Sequence, residues 1–214
     1  MIERGMIFNA EMVRAILDGN KTQTRRIMAI QPEHSGLGLR RVIDSKDGRD
    51  NGKYFWSQSD ACGMKARSKV FGCPHGAVGD RLWVRETWSE AGAGAPDLTL
   101  YRANYPEHVP SLYENIPATG DVRWRPSIHM PRWASRILLE IIDVRVERLN
   151  DISDEDANAE GVTASEFGPS RYEFGYLWQS IYGADNSQSW QANPWVWVIE
   201  FRRIEGGSSN GLGE

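Results

Sequence analysis

Cysteine is nearly absent from this 214-residue chain, which has only Cys62 and Cys73. That excludes a disulfide-built scaffold: with 40% hydrophobic residues a chain this long buries a core of its own, and reduced thiols are expected. Long apolar runs are also missing. Stretches such as Ile137 to Ile142 fall far short of the roughly 20 residues of a spanning helix. No basic stretch followed by a signal-type apolar core opens the sequence, so a cytoplasmic protein without a membrane partner is expected. There is no Gly-rich phosphate loop of the P-loop or dinucleotide type, so ATP and NAD roles have no positive support and no cofactor is expected. Lysine is scarce, five against twenty arginines. At a net charge of −4 the chain lacks the concentrated basic surface that coats nucleic acid by counterion release. Its guanidinium groups suit local bidentate or stacked contacts with phosphates and bases instead.

The elements that remain legible give a mixed α+β order. Asn9 caps a short helix with Val13, Ile16 and Leu17 on one face, and Gly19 stops it. Asn20 to Arg26 then reads as a polar loop at a helix end. Gly79-Asp80 is a turn signal before a strand over Arg81 to Trp88, with Leu82 and Val84 on one face and Trp83 and Arg85 on the other. Residues 137–149 form the clearest strand, with Ile142, Val144 and Val146 opposed to Asp143, Arg145 and Glu147. Ser153 to Asp156 resembles a capping box, and Gly161 ends that helix beside Glu160. A second helix covers about 171–182, with Phe174, Leu177, Trp178, Ile181 and Tyr182 as its core face. Trp195 to Phe201 is an apolar strand. One domain is expected over 1–205, with loop-rich insertions at about 31–78 and 89–136, a strand possible over Leu98 to Ala103, and a disordered Gly/Ser-rich tail at 206–214.

The segment Gly19-Asn20-Lys21-Thr22-Gln23-Thr24-Arg25-Arg26 resembles the G-x-K-x-x-T-x-R signature of ASCH domains, relatives of the PUA RNA-binding fold. Three further blocks follow in that family's order: Gly79 to Val84, the helix ending at Glu160, and the Trp195 to Phe201 strand. The resemblance implies a small PUA-like β-barrel with flanking short helices. The order is also similar to that of small bacterial enzymes that hydrolyse N4-acetylcytidine, which would make Lys21, Thr24 and Glu160 the catalytic residues. It covers about half the chain. The longer architecture, with Trp83 to Trp88 and Pro126 to Trp133, resembles a phage- and prophage-encoded group.

Amide hydrolysis needs a nucleophile, a base and a donor for the developing oxyanion. Thr24 fits the nucleophile, Lys21 its base and Glu160 the orienting partner. Lysine serves as a base only where burial or nearby positive charge lowers its pKa; Arg25 and Arg26 would act in that sense, whereas Glu160 would act against it. The competing reading is a structural Lys21–Glu160 ion pair with Thr24 capping a turn. Arg26 either touches ligand or holds its loop. Trp83 and Arg85 would form a wall on which a base stacks, unless Trp83 is core, and Glu86 fits either an exocyclic amine or a strand-end salt bridge. Arg125, His129, Arg132 and Trp133 combine cations with stacking groups as single-stranded nucleic acid requires, RNA more than DNA, or else pack against the domain. Cys62, Cys73 and His75, joined by His34 or His129, are a candidate metal set, but Cys-x10-Cys-x-His is not a standard zinc spacing, so no metal is expected. Three functions follow: a nucleoside amidohydrolase, a non-catalytic RNA- or DNA-binding module, and a metal-independent ribonuclease using Lys21, Glu160 and His129.

Overall fold

The computed structural model describes residues 1–60, 63–92, 95–113 and 115–204. Strand β1 (Glu3–Ile7) leads into helix α1 (Ala10–Leu17) and strand β2 (Gln23–Ile27). Next comes a meander of β3 (Gly38–Arg41), β4 (Tyr54–Asp60) and β5 (Gly63–Arg67). Strand β6 (Arg81–Arg85) precedes a small hairpin of β7 (Trp88–Glu90) and β8 (Thr99–Tyr101). The chain finishes with β9 (Leu138–Arg148), α2 (Asp154–Ala159), α3 (Ser170–Tyr182) and β10 (Trp195–Ile204). The class is α+β. Among the described residues no helix is long and apolar enough to cross a membrane.

The main sheet has the order β1-β6-β9-β10-β2, with β1 and β6 parallel and the other pairs antiparallel. Among the described residues no backbone ladder joins its edges β1 and β2. A side chain spans that gap: Arg26 Nη2 donates to the Ile7 carbonyl at 2.8 Å. On one face Phe8, Leu82, Val84, Leu139, Ile199 and Phe201 pack with Val13 and Ile16 of α1 and with Trp56 and Phe71 of the meander region. On the other, Val196 and Val198 meet Leu149, Ile152, Ala157, Phe174 and Trp178 beneath α2 and α3.

Local signals account for the helices. The Asn9 side chain accepts from the Met12 N–H and the Ser153 side chain from the Asp156 N–H, satisfying donors that a first helical turn leaves free. Several expectations are corrected. Asn20 to Arg26 is not all loop: Gln23–Ile27 is a strand laid along β10, its polar residues tolerated because buried partners await them. The strand expected to reach Trp88 stops at Arg85, and Trp88 begins β7 instead. In β9, Glu200 faces Asp143 while Phe201 faces Ile141, so Ile142 is the extra residue of a β-bulge. It is 46% exposed, and the parity change puts Leu139, Ile141, Val144 and Val146 on one face. Ile181 is likewise exposed at 45%, leaving Phe174 and Trp178 as the buried face of α3. The 31–78 insertion holds a sheet, since Trp56 and Phe71 anchor it to the main core. The 89–136 insertion holds the hairpin and single 3₁₀ turns at Arg102–Asn104, Ser127–His129 and Arg132–Ala134, around a small core of Trp88, Met130 and Ala134. The segment 206–214 lies outside the described residues.

Candidate functional site

Where α1 ends, Gly19 takes a positive φ of 77° and the Lys21 N–H donates back to the Ala15 carbonyl at 2.9 Å. The Thr22 N–H then donates to Ala159 O and its carbonyl accepts from the Phe201 N–H, both at 2.8 Å. These bonds seat the start of β2 against the exit of α2, where Lys21 and Glu160 form a backbone bridge. Gly161 makes the approach possible: its φ is 84°, and a Cβ there would lie 2.8 Å from the Ala15 Cβ and 3.2 Å from the Lys21 Cβ.

Lys21 Nζ donates to Glu160 Oε2 at 2.6 Å and to the Glu160 carbonyl at 2.8 Å. The two side chains are 0% and 3% exposed. Burial lowers the Lys21 pKa below its ordinary value; Glu160 pulls it up, and Arg26 and Arg25 push it further down.

Arg25 extends the pair into a network. Its Nη1 reaches Glu160 Oε1 at 3.4 Å, and its Nη2 reaches Glu147 at 2.9 Å and Asp156 at 3.1 Å. Arg145 continues it to Asp156, Glu147, Glu200 and Asp143. Gln23 donates to Asp156 and accepts from Arg145. Register explains the clustering, because Gln23 pairs with Glu200 and Glu200 with Asp143, while Arg25 pairs with Val198 and Val198 with Arg145. Sequence reasoning missed Asp156, Arg145 and Glu147 as part of this site. The available signal was the charged alternate face of β9 beside the acidic first turn of α2.

Thr24 is buried at the same junction, with no hydrogen bond to Lys21. It lines a narrow cleft with Arg26, Glu160, Phe174 and Trp178. The free volume is about 20 Å³, room for one water. A wider cleft of about 300 Å³, lined by Asn9, Glu11, Thr163 and Glu173, shares Met12, Glu160 and Leu177 with it. Glu160 therefore faces both spaces.

The other expected residues lie elsewhere. Trp83 packs its ring against the Gly5 backbone, and the Arg85 guanidinium sits 5.4 Å from the Trp83 ring and donates to the Ile128 carbonyl. Glu86 is buried in a bidentate pair with Arg136, at 2.9 and 3.0 Å. None of the three contacts Lys21, Thr24 or Glu160 through a hydrogen bond or ion pair. Arg26 lies over the Phe8 ring at 5.2 Å as well as holding Ile7. Arg125 pairs with Glu90 and Arg132 with Glu3, so neither is a free cation. His129 and Trp133 are exposed, Trp133 at 66% and edge-on to Trp88. His129 meets neither Lys21 nor Glu160, so the three groups of a ribonuclease site are not assembled. Cys73 is a free thiol whose pKa burial raises, and burial with Arg26 and Arg4 lowers the His75 pKa to about 4. Cys62 lies outside the described residues, among which no group of three or more metal-type ligands occurs. No family model, curated protein or solved structure matches the chain.

Proposed function

We propose that this chain is a cytoplasmic nucleobase-recognising protein of PUA-like (ASCH) type in which Lys21, Thr24 and Glu160 hydrolyse an N4-acylated cytidine or a similarly acylated base. The observation that carries the reading is the buried Lys21–Glu160 pair, whose carboxylate lines two adjoining clefts, with the lysine pKa held down and Thr24 lining the narrower cleft. The Arg26 bridge between the sheet edges supports the barrel-like arrangement. In the reaction, the fraction of Lys21 that has lost its proton, enlarged by its lowered pKa, takes the Thr24 proton as Oγ1 attacks the amide carbonyl. The C–N bond then breaks, the amine leaves with a proton returned by Lys21, and water hydrolyses the Thr24 ester. Glu160 holds Lys21 in place throughout. The mechanism requires Thr24 and Lys21 to close to hydrogen-bond distance when substrate binds, as catalytic contacts often do.

The test is incubation of the protein and its Lys21→Met and Thr24→Val variants with N4-acetylcytidine and other acylated nucleosides, with cytidine and acetate followed by mass spectrometry. Turnover should fall by about 10²–10⁴ in each variant. Absence of wild-type turnover on every acylated nucleoside, or full activity in Thr24→Val, would overturn it. A second reading, a non-catalytic module for single-stranded RNA in preference to DNA, draws on the exposed His129 and Trp133. Salt-sensitive oligonucleotide binding without turnover would favour it.

A further inference from the structure

A separate cleft of about 460 Å³ opens between the β3–β5 meander and the main sheet. Its volume falls within the range of small-molecule sites. The floor is apolar and aromatic: Val144 and Trp197 come from the main sheet, and Tyr54 stands edge-to-face on Trp197 with ring centroids 5.4 Å apart. The walls carry Arg4, Arg41 and Lys53. Asp80 is the one carboxylate lining it, and that group is already taken by Arg4 at 2.8 Å and by the Ile2 N–H at 2.7 Å. Lys53 is paired with Asp50 in an exposed contact, which is weak and readily shared with a ligand.

Arg41 differs from both. It is exposed on β3 and, among the described residues, makes no ion pair or side-chain hydrogen bond. Its guanidinium lies 6.0 Å from the Tyr54 ring centroid, at the outer limit of a cation–π contact. Its planar fork is thus uncommitted at the mouth of the cleft, in the form that grips a phosphate through two parallel hydrogen bonds. A phosphate alone would leave Tyr54, Val144 and Trp197 unused, and a free nucleoside would leave the cations unused.

We propose that this cleft binds a nucleoside monophosphate, with Arg41 and Lys53 on the phosphate and the base against Tyr54 and the apolar floor. The site shares no lining residue with the two clefts beside Glu160. Cys73 lines it and serves as a reporter.

The experiment titrates the full chain calorimetrically with CMP, AMP, cytidine and inorganic phosphate, while peptide mapping follows alkylation of Cys73. One or both monophosphates should bind and slow alkylation, with cytidine and phosphate much weaker. Arg41→Ala, an exposed substitution that leaves the core intact, should weaken binding by about tenfold or more. Lys21→Met should leave it unchanged. Absence of monophosphate binding, equal binding by inorganic phosphate, or binding that survives Arg41→Ala but is lost in Lys21→Met would each overturn the assignment.

Discussion

Replacing Glu160 should cost far more stability than replacing Lys21, although the two share one ion pair. In Glu160→Gln the Lys21 ammonium stays in a fully buried position without its countercharge, and Arg25 loses one of three carboxylate partners. Breaking a buried pair in this sense costs about 3 kcal/mol or more. In Lys21→Met an apolar chain of similar length fills the site, and Glu160 keeps Arg25 at 3.4 Å, so the loss should be about 1–2 kcal/mol. At about 2–4 °C per kcal/mol for a chain of this size, the melting temperatures should fall by roughly 6–12 °C and 2–8 °C respectively. The pH dependence gives a second check. The folded pKa of Lys21 lies below its ordinary value, so between that pKa and the unfolded value the unfolded chain holds more protons and stability rises with pH. Without the upward pull of Glu160 the folded pKa drops further, and the rise in Glu160→Gln should begin at lower pH and be larger. In Lys21→Met the component should vanish. Urea unfolding of the three proteins across about pH 7–10 measures all of this. A Lys21→Met protein less stable than Glu160→Gln, or an alkaline profile identical in all three, would refute the reasoning.

Gly161→Ala should destabilise by about 1–3 kcal/mol, because alanine must hold a φ of 84° and its Cβ would meet Ala15 at 2.8 Å; thermal unfolding reads the loss. The Asp156 carboxyl is pushed up by burial but held below its usual range overall by Gln23, Arg25 and Arg145. Its stabilisation is therefore present above the unfolded carboxylate pKa and lost as pH falls through the folded value. Asp156→Asn should be less stable at neutral pH, and the gap from wild type should close below about pH 4, as followed by urea midpoints.

The helix ends were legible because their signals act within a few residues: Asn9 and Gly19 bound α1, and Ser153 and Gly161 bound α2. β2 was not, because Gln23, Thr24, Arg25 and Arg26 have a loop's composition. They form a strand only once β10 supplies the ladder and Asp156, Glu147 and Glu160 supply charge partners. The bulge at Ile142 was hidden for a similar reason, since plain alternation predicts one parity for the whole of β9 and only pairing with β10 shows where it changes. The sequence leaves Glu86 open between an exocyclic amine and a strand-end salt bridge, and its pairing with Arg136, 50 residues away, needs the folded chain.

By itself the sequence determined the α+β class, the capped helices and the apolar strands β9 and β10, because side-chain periodicity and capping hydrogen bonds are properties of short segments. Only the tertiary structure decided which charges meet. Lys21 and Glu160 are 139 residues apart and Arg25 and Glu147 are 122, and strand register and burial, rather than any local pattern, bring them within hydrogen-bond distance and shift the Lys21 pKa.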